Sequence, residues 1–227
     1  MSTIRNIALV TAAPLLLAAA GAAHPHGLSR ASAADWTHLH IALLPVFPLL
    51  TAGLLVPLWY RPRPDLAGFA TVIAWTSAFL YAAFYTGLDA VAGIAAGTAV
   101  EHAAGTANIG PLKYPLYDTG ESLGQVGAYA LIVAVVATAV ALYPEHGARV
   151  LPGTVVLLVA GWSFMDSHIF WPRGVWTMLG FALGFALLTA GTGRSASLPL
   201  RARVELRGRG GGPAGSGTRC DTISPAP

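Results

Sequence analysis

Residues 122–143 read SLGQVGAYALIVAVVATAVALY, and this stretch decides the fold. It contains no charged side chain over 22 residues. As an α-helix it extends about 33 Å, which matches the hydrocarbon core of a bilayer. Just before it, Asp118-Thr-Gly-Glu121 has the spacing of a capping box, which predicts a helix start there. Just after it, Pro144-Glu-His-Gly-Ala-Arg149 is a short polar turn.

Downstream, a second apolar run covers residues 150–170. Trp171-Pro-Arg-Gly174 turns the chain, and a further span is expected over 175–190. From residue 193 to 227 the sequence is rich in Gly, Ser, Pro and Arg without apolar periodicity, which predicts a disordered tail. Upstream, a span over 41–60 contains Pro45, Pro48 and Pro57, so its helix is expected to kink or unwind. It ends in an aromatic anchor, Trp59-Tyr60, followed by Arg61 and Arg63. Asp65 can cap the next helix, read as a span over 66–89. A Gly/Ala-rich interfacial segment is expected over 90–100, then a loop over 101–120.

The remaining apolar run, residues 7–23, follows Arg5 and ends in Gly21-Ala-Ala23. It fits either a cleaved secretory signal peptide or a first span. The expected architecture is therefore an all-α, polytopic transmembrane bundle of five or six spans occupying residues 24–192, or nearly the whole chain if residues 1–23 are retained.

Composition agrees. Hydrophobic residues make up 55% of the chain and charged residues 10%. A soluble domain carries about 25% charged residues. The single cysteine, Cys220, excludes a disulfide framework and a Cys-based metal motif. The net charge of +3 does not indicate nucleic acid, because the basic residues flank apolar spans or lie in the tail. With the tail cytoplasmic, ten basic residues lie inside and three (Arg30, Lys113 and Arg173) outside. That asymmetry predicts a multi-pass protein of the plasma (cytoplasmic) membrane, with the lipid bilayer as its first partner.

This topology gathers six of the seven histidines on the extracytoplasmic side, leaving His146 inside. Asp35, Asp89, Glu101, Asp118, Glu121 and Asp166 join them. Imidazole and carboxylate together are ligands for transition metals. Tyr81, Tyr85 and Asp89 recur every four residues and share one helix face. Glu121, Gln125 and Tyr129 do the same on the next helix. His38 and His40 point to opposite sides of a helix, so one of them faces the bundle. The expected site joins His40, Asp89, Asp166 and His168, with Tyr85 and Gln125 beside them. Asp35 and Glu121 also suit helix caps, and interfacial Tyr and Trp suit membrane anchors.

A second metal hint lies at the first apolar run. Cleavage after Ala23 would give His24 a free amine, and His26 could add an imidazole. Ala23-His-Pro-His26 resembles the mature start of some exported copper-binding proteins, and the resemblance implies copper. Pro25 departs from the usual amino-terminal copper motif, which needs a deprotonatable amide at that position. Binding or handling of a transition metal, copper above others, is thus the expected function. The alternatives are a redox subunit holding haem b through His40 and His168 with a quinone near the tyrosines, a small ion-coupled transporter using Asp89 and Asp166, and a non-enzymatic scaffold or partner subunit for other membrane proteins. No hydrolase or zinc-protease motif is present.

Overall fold

The computed structural model describes residues 3–59, 62–103 and 108–193, all within one unit, Met1–Arg194. Regular structure among them is entirely helical. The expected tail lies outside the described residues, apart from Gly193. Five helical stretches are long and apolar enough to cross a membrane: Thr3–Ala23, Ala33–Leu55, Leu66–Glu101, Gly110–Ser167 and Arg173–Gly193.

Helix α1 is Thr3–Ala23. The second segment is broken, as its prolines require: α2, Ala33–Leu43, gives way to a 3-10 turn at Phe47–Thr51 and a short α3, Ala52–Leu55. Helix α4, Leu66–Leu88, starts where the extended Asp65 accepts a hydrogen bond from the Gly68 amide at 2.8 Å. It continues through a π-helical stretch, Asp89–Ala95, into α5, Ala96–Glu101. Helix α6 is Gly110–His146. Gly147, at φ +59°, reverses the chain into α7, Leu151–Ser167. An added Cβ on Gly161 would meet Ile132, and these two residues lie nearly equally far from Gly147, so α6 and α7 run antiparallel. Helix α8, Arg173–Gly193, closes the bundle.

Three boundaries differ from the sequence reading. The second segment starts at Ala33, not residue 41, because Trp36 and Thr37 are buried against α5. His40 therefore lies about two turns inside its helix. The helix expected to stop near Asp89 runs on to Glu101, so 90–100 is not a separate interfacial piece. Helix α6 begins at Gly110 with proline in its first turn, where a missing N–H costs nothing. Residues 118–121 are thus inside a helix and cap nothing.

Small residues set the packing. Substituents on Gly120, Gly124 and Gly127 of α6 would collide with Ala92, Leu88 and Tyr85 in turn. That seam brings α4 and α6 into close antiparallel contact, as small residues do between membrane helices. Helix α1 buries Val10, Ala13, Leu17 and Ala18, and its Gly21 lies against Ile169 and Val175. The centre is filled by fully buried Phe47, Leu54, Tyr81, Leu131, Phe164, Phe181 and Phe185. Large apolar side chains also point outward, among them Leu16, Phe69, Phe79, Val159 and Leu183, all more than half exposed. An outside as apolar as this suits lipid rather than water.

Candidate metal centre

Three elements deliver three ligand-type side chains to one point. His40 comes from the last turn of α2, Asp89 from the start of the π-helical stretch, and His168 from the residue after α7. One donor atom from each lies within 4.8 Å of the other two. Two donors bonded to one ion at about 2.1 Å are at most about 4.2 Å apart, so ligation requires only a small contraction.

The hydrogen bonds fix which atoms are available. The His40 Nδ1–H donates to the Trp36 carbonyl at 2.7 Å. A carbonyl only accepts, so the proton of neutral His40 sits on Nδ1 and Nε2 carries a lone pair. That Nε2 faces Asp89 Oδ1 at 3.8 Å, beyond hydrogen-bond reach. Asp89 is fully buried, and neither carboxylate oxygen has a hydrogen-bond partner among the described residues. His168 Nδ1 is 2.7 Å from the Tyr85 hydroxyl, which leaves Nε2 as its free nitrogen. The His40 and His168 rings are nearly parallel, 4° apart, with centroids separated by 6.4 Å. The Asp89 carboxylate and the His40 Nε2 lone pair thus face each other in a buried space, an arrangement that is costly unless something positive joins them.

The backbone is shaped around this arrangement. Tyr81, Tyr85 and Asp89 form one buried stripe on α4. The i→i+5 turn begins at Asp89 itself, and such turns recur at functional sites. Gly93, one turn on, provides clearance: an added Cβ would strike the His40 ring. His168 has φ +43° and ψ −131°, a conformation of order 1–3 kcal/mol above ordinary backbone for a non-glycine residue. It turns the chain back at the end of α7 and aims the imidazole inward, where it stacks near Phe47 and Tyr85.

His24 lies beside the three. Its ring stands edge-on to Trp36 at 4.7 Å, His40 at 5.1 Å and Phe170 at 4.6 Å. Its Nδ1–H donates to the Pro25 carbonyl at 2.8 Å, while Nε2 is buried without a partner among the described residues. Burial holds this imidazole below its ordinary pKa; the Pro25 hydrogen bond opposes that, and nearby His26 adds to it. His24 is outside the mutually close set but one ring away from it.

The remaining expected residues are elsewhere. Asp166 does not join His40, Asp89 and His168. It is 65% exposed and pairs with Arg173 at 2.7 Å, because the last turn of α7 points it outward. His26 and His38 are exposed. Gln125 is exposed and bonds to Glu121 at 3.4 Å, on the rim of an adjoining cavity rather than against the imidazoles. That cavity, of about 330 Å³, is lined by His40, Tyr85 and His168 together with aromatic side chains. Sequence reasoning missed the structural parts played by Trp36, Gly93 and Phe170. The spacing Trp36–His40 and Asp89–Gly93, each one helical turn, was the available signal.

Comparison with protein families, curated proteins and solved structures finds no match to this chain.

Proposed function

We propose that this multi-pass protein binds a transition-metal ion, copper above others, through His40, Asp89 and His168 at the extracytoplasmic face of the plasma membrane. One observation carries the reading: the fully buried Asp89 carboxylate and the His40 Nε2 lone pair face each other with no donor between them. A cation bonded to both satisfies both. Two imidazoles and a carboxylate suit first-row metals, and copper(II) stands highest in divalent affinity. The Tyr85 contact to His168 and the Trp36 contact to His40 are the outer hydrogen bonds that orient such ligands.

Haem b fits less well. Asp89 approaches both imidazoles, so a macrocycle between them would meet its carboxylate. The aromatic and leucine core below the site argues for binding over conduction. The orientation rests on the ten-to-three basic asymmetry. Helix α1 is read as a retained first span, since its buried face packs on α8. His24 then acts through its imidazole, with no free amine.

Metal analysis of the purified full-length protein after copper loading and desalting tests this. About one copper per chain is expected, and His168→Ala should lose it while inserting normally in the membrane. Equal copper in wild type and variant would refute the site.

A further inference from the structure

The cavity beside the three ligands is far larger than an ion requires. At about 330 Å³ it reaches the lower range of small-molecule pockets. It starts at His40 and His168 and is walled by Trp36, Leu88, Tyr117, Phe164, Met165 and Phe170. The Trp36 ring lies within about 30° of parallel to Phe170, at 28°, and 33° from Tyr117, with centroids at 6.0 and 6.3 Å. Such faces suit a flat ring. Three protein ligands leave a metal open to an outside donor, the arrangement of reactive rather than structural sites.

The rim narrows the choice. Glu121 and Gln125 of α6 and Asp166 of α7 line the cavity and are exposed, so its mouth lies between those two helices. Both helices present apolar side chains outward below it, including Val133 and Val159. Asp166 at the rim is paired with Arg173, which leaves Glu121 there and buried Asp89 beside His40 and His168 to disfavour anions. A hydrocarbon chain would fill the space and offer the metal nothing.

Resting on the metal reading above, we infer that the cavity holds a small, neutral phenol or catechol whose hydroxyl oxygen completes the coordination of the ion. The ring lies among Trp36, Tyr117 and Phe170, and the oxygen points to the His40 and His168 end. Bound to the metal, that hydroxyl loses its proton more readily, as metal-bound water does.

The test uses copper-loaded, desalted full-length protein titrated with 4-nitrocatechol below its first ionisation, where it is neutral, and followed by its visible absorption. A saturable one-to-one shift that needs copper is expected. Its dimethyl ether, which has no hydroxyl to ligate, should give none. Gln125→Trp at the rim and Met165→Trp in the wall should each weaken 4-nitrocatechol binding at least tenfold, with copper content unchanged. Two variants are used because Met165 is partly buried and its replacement can disturb folding. Copper bound with no 4-nitrocatechol shift, or a shift unaffected by either variant at full copper content, would overturn this inference and leave the metal site standing. Absence of copper from wild-type protein would overturn both.

Discussion

The two ends of the bundle both carry polar groups, and only one of them concentrates ligands. At the end where α1 finishes and α2 begins, His24, His40, Asp89 and His168 are turned inward among aromatic rings. At the opposite end a cavity of about 230 Å³ is lined by Thr3, Asn6, His146, Thr189 and Thr192. At the same end, Arg63 and Glu145 pair with each other on the surface. Asn6 Oδ1 and Thr189 Oγ1 there lack a partner among the described residues, but hydroxyls and an amide are neutral and can donate as well as accept, so water can satisfy them. An ionised carboxylate cannot donate, and His24 and His40, whose Nδ1 protons go to carbonyls, offer only a lone pair at Nε2. Asp89 is the one buried carboxylate among the described residues. A site is thus marked by converging acceptors that lack donors, and polarity alone does not mark it.

The comparison is broken most directly at Asp89. Asp89→Asn keeps the shape, removes the charge and supplies an N–H. The metal-free variant should be at least as stable as wild type, because a neutral amide is cheaper to bury than a carboxylate. Metal binding should fall by about two orders of magnitude or more, the fate of a first ligand being at least that of its supporting groups. Thermal unfolding with and without copper reads both. Wild type at a hundredfold excess over Kd gains about 2.7 kcal/mol, and the variant should gain almost nothing. A metal-free variant much less stable than wild type would mean that Asp89 holds the bundle together rather than an ion.

Next in size is Gly93→Ala. The added methyl meets the His40 ring, so the imidazole must leave its place or the π-helical stretch must shift. Overpacking of this kind costs about 1–3 kcal/mol. Copper affinity and stability should therefore fall together, unlike in Asp89→Asn. A fall in stability alone would show that the His40 position is not critical to the ion. Tyr85→Phe follows, removing only the hydroxyl at His168 Nδ1. A loss of about tenfold in copper affinity is expected, as for other outer hydrogen bonds to ligating histidines, and isothermal titration measures it.

These effects bear on how far the sequence could be read. Length and apolarity suffice for α8 and the apolar part of α6, because lipid imposes a simple requirement on any spanning segment, and they leave α1 open between a signal peptide and a span. Helix ends were legible where a local signal fixed them, as at Asp65, whose carboxylate does cap α4. They were not legible at residues 33–40 and 110–121. There the helices carry polar residues that are buried against other helices or extend past the apolar belt, and hydropathy misses both. Within the site, His40, Asp89 and Tyr85 were foreseeable from four-residue spacing and from the cost of ionisable groups in apolar segments. Similar depth was the ground for expecting them to meet His168, whereas the Gly93 clearance and the positive φ of His168 that bring the three together were not legible. Asp166 shows the same limit from the other side. Two residues before His168, it points away from the cluster, and only the backbone at the end of α7 decides that.

The smallest expected effect is at that residue, and it sharpens the comparison because Asp166 was chemically as good a candidate as Asp89. The Asp166–Arg173 pair is more than half exposed on both sides, at 65% and 57%. Exposed pairs contribute about 0–1 kcal/mol. Asp166→Asn should therefore leave copper stoichiometry unchanged and shift affinity less than twofold. Glu145→Gln, in the surface pair at the opposite end, should behave the same way. If the electrostatic field of the histidine-rich end were what held the ion, Asp166→Asn would weaken binding while Glu145→Gln would not, and lower ionic strength would enlarge the difference. Equal silence of both variants, set beside the large loss in Asp89→Asn, would assign the binding to direct ligation by buried groups.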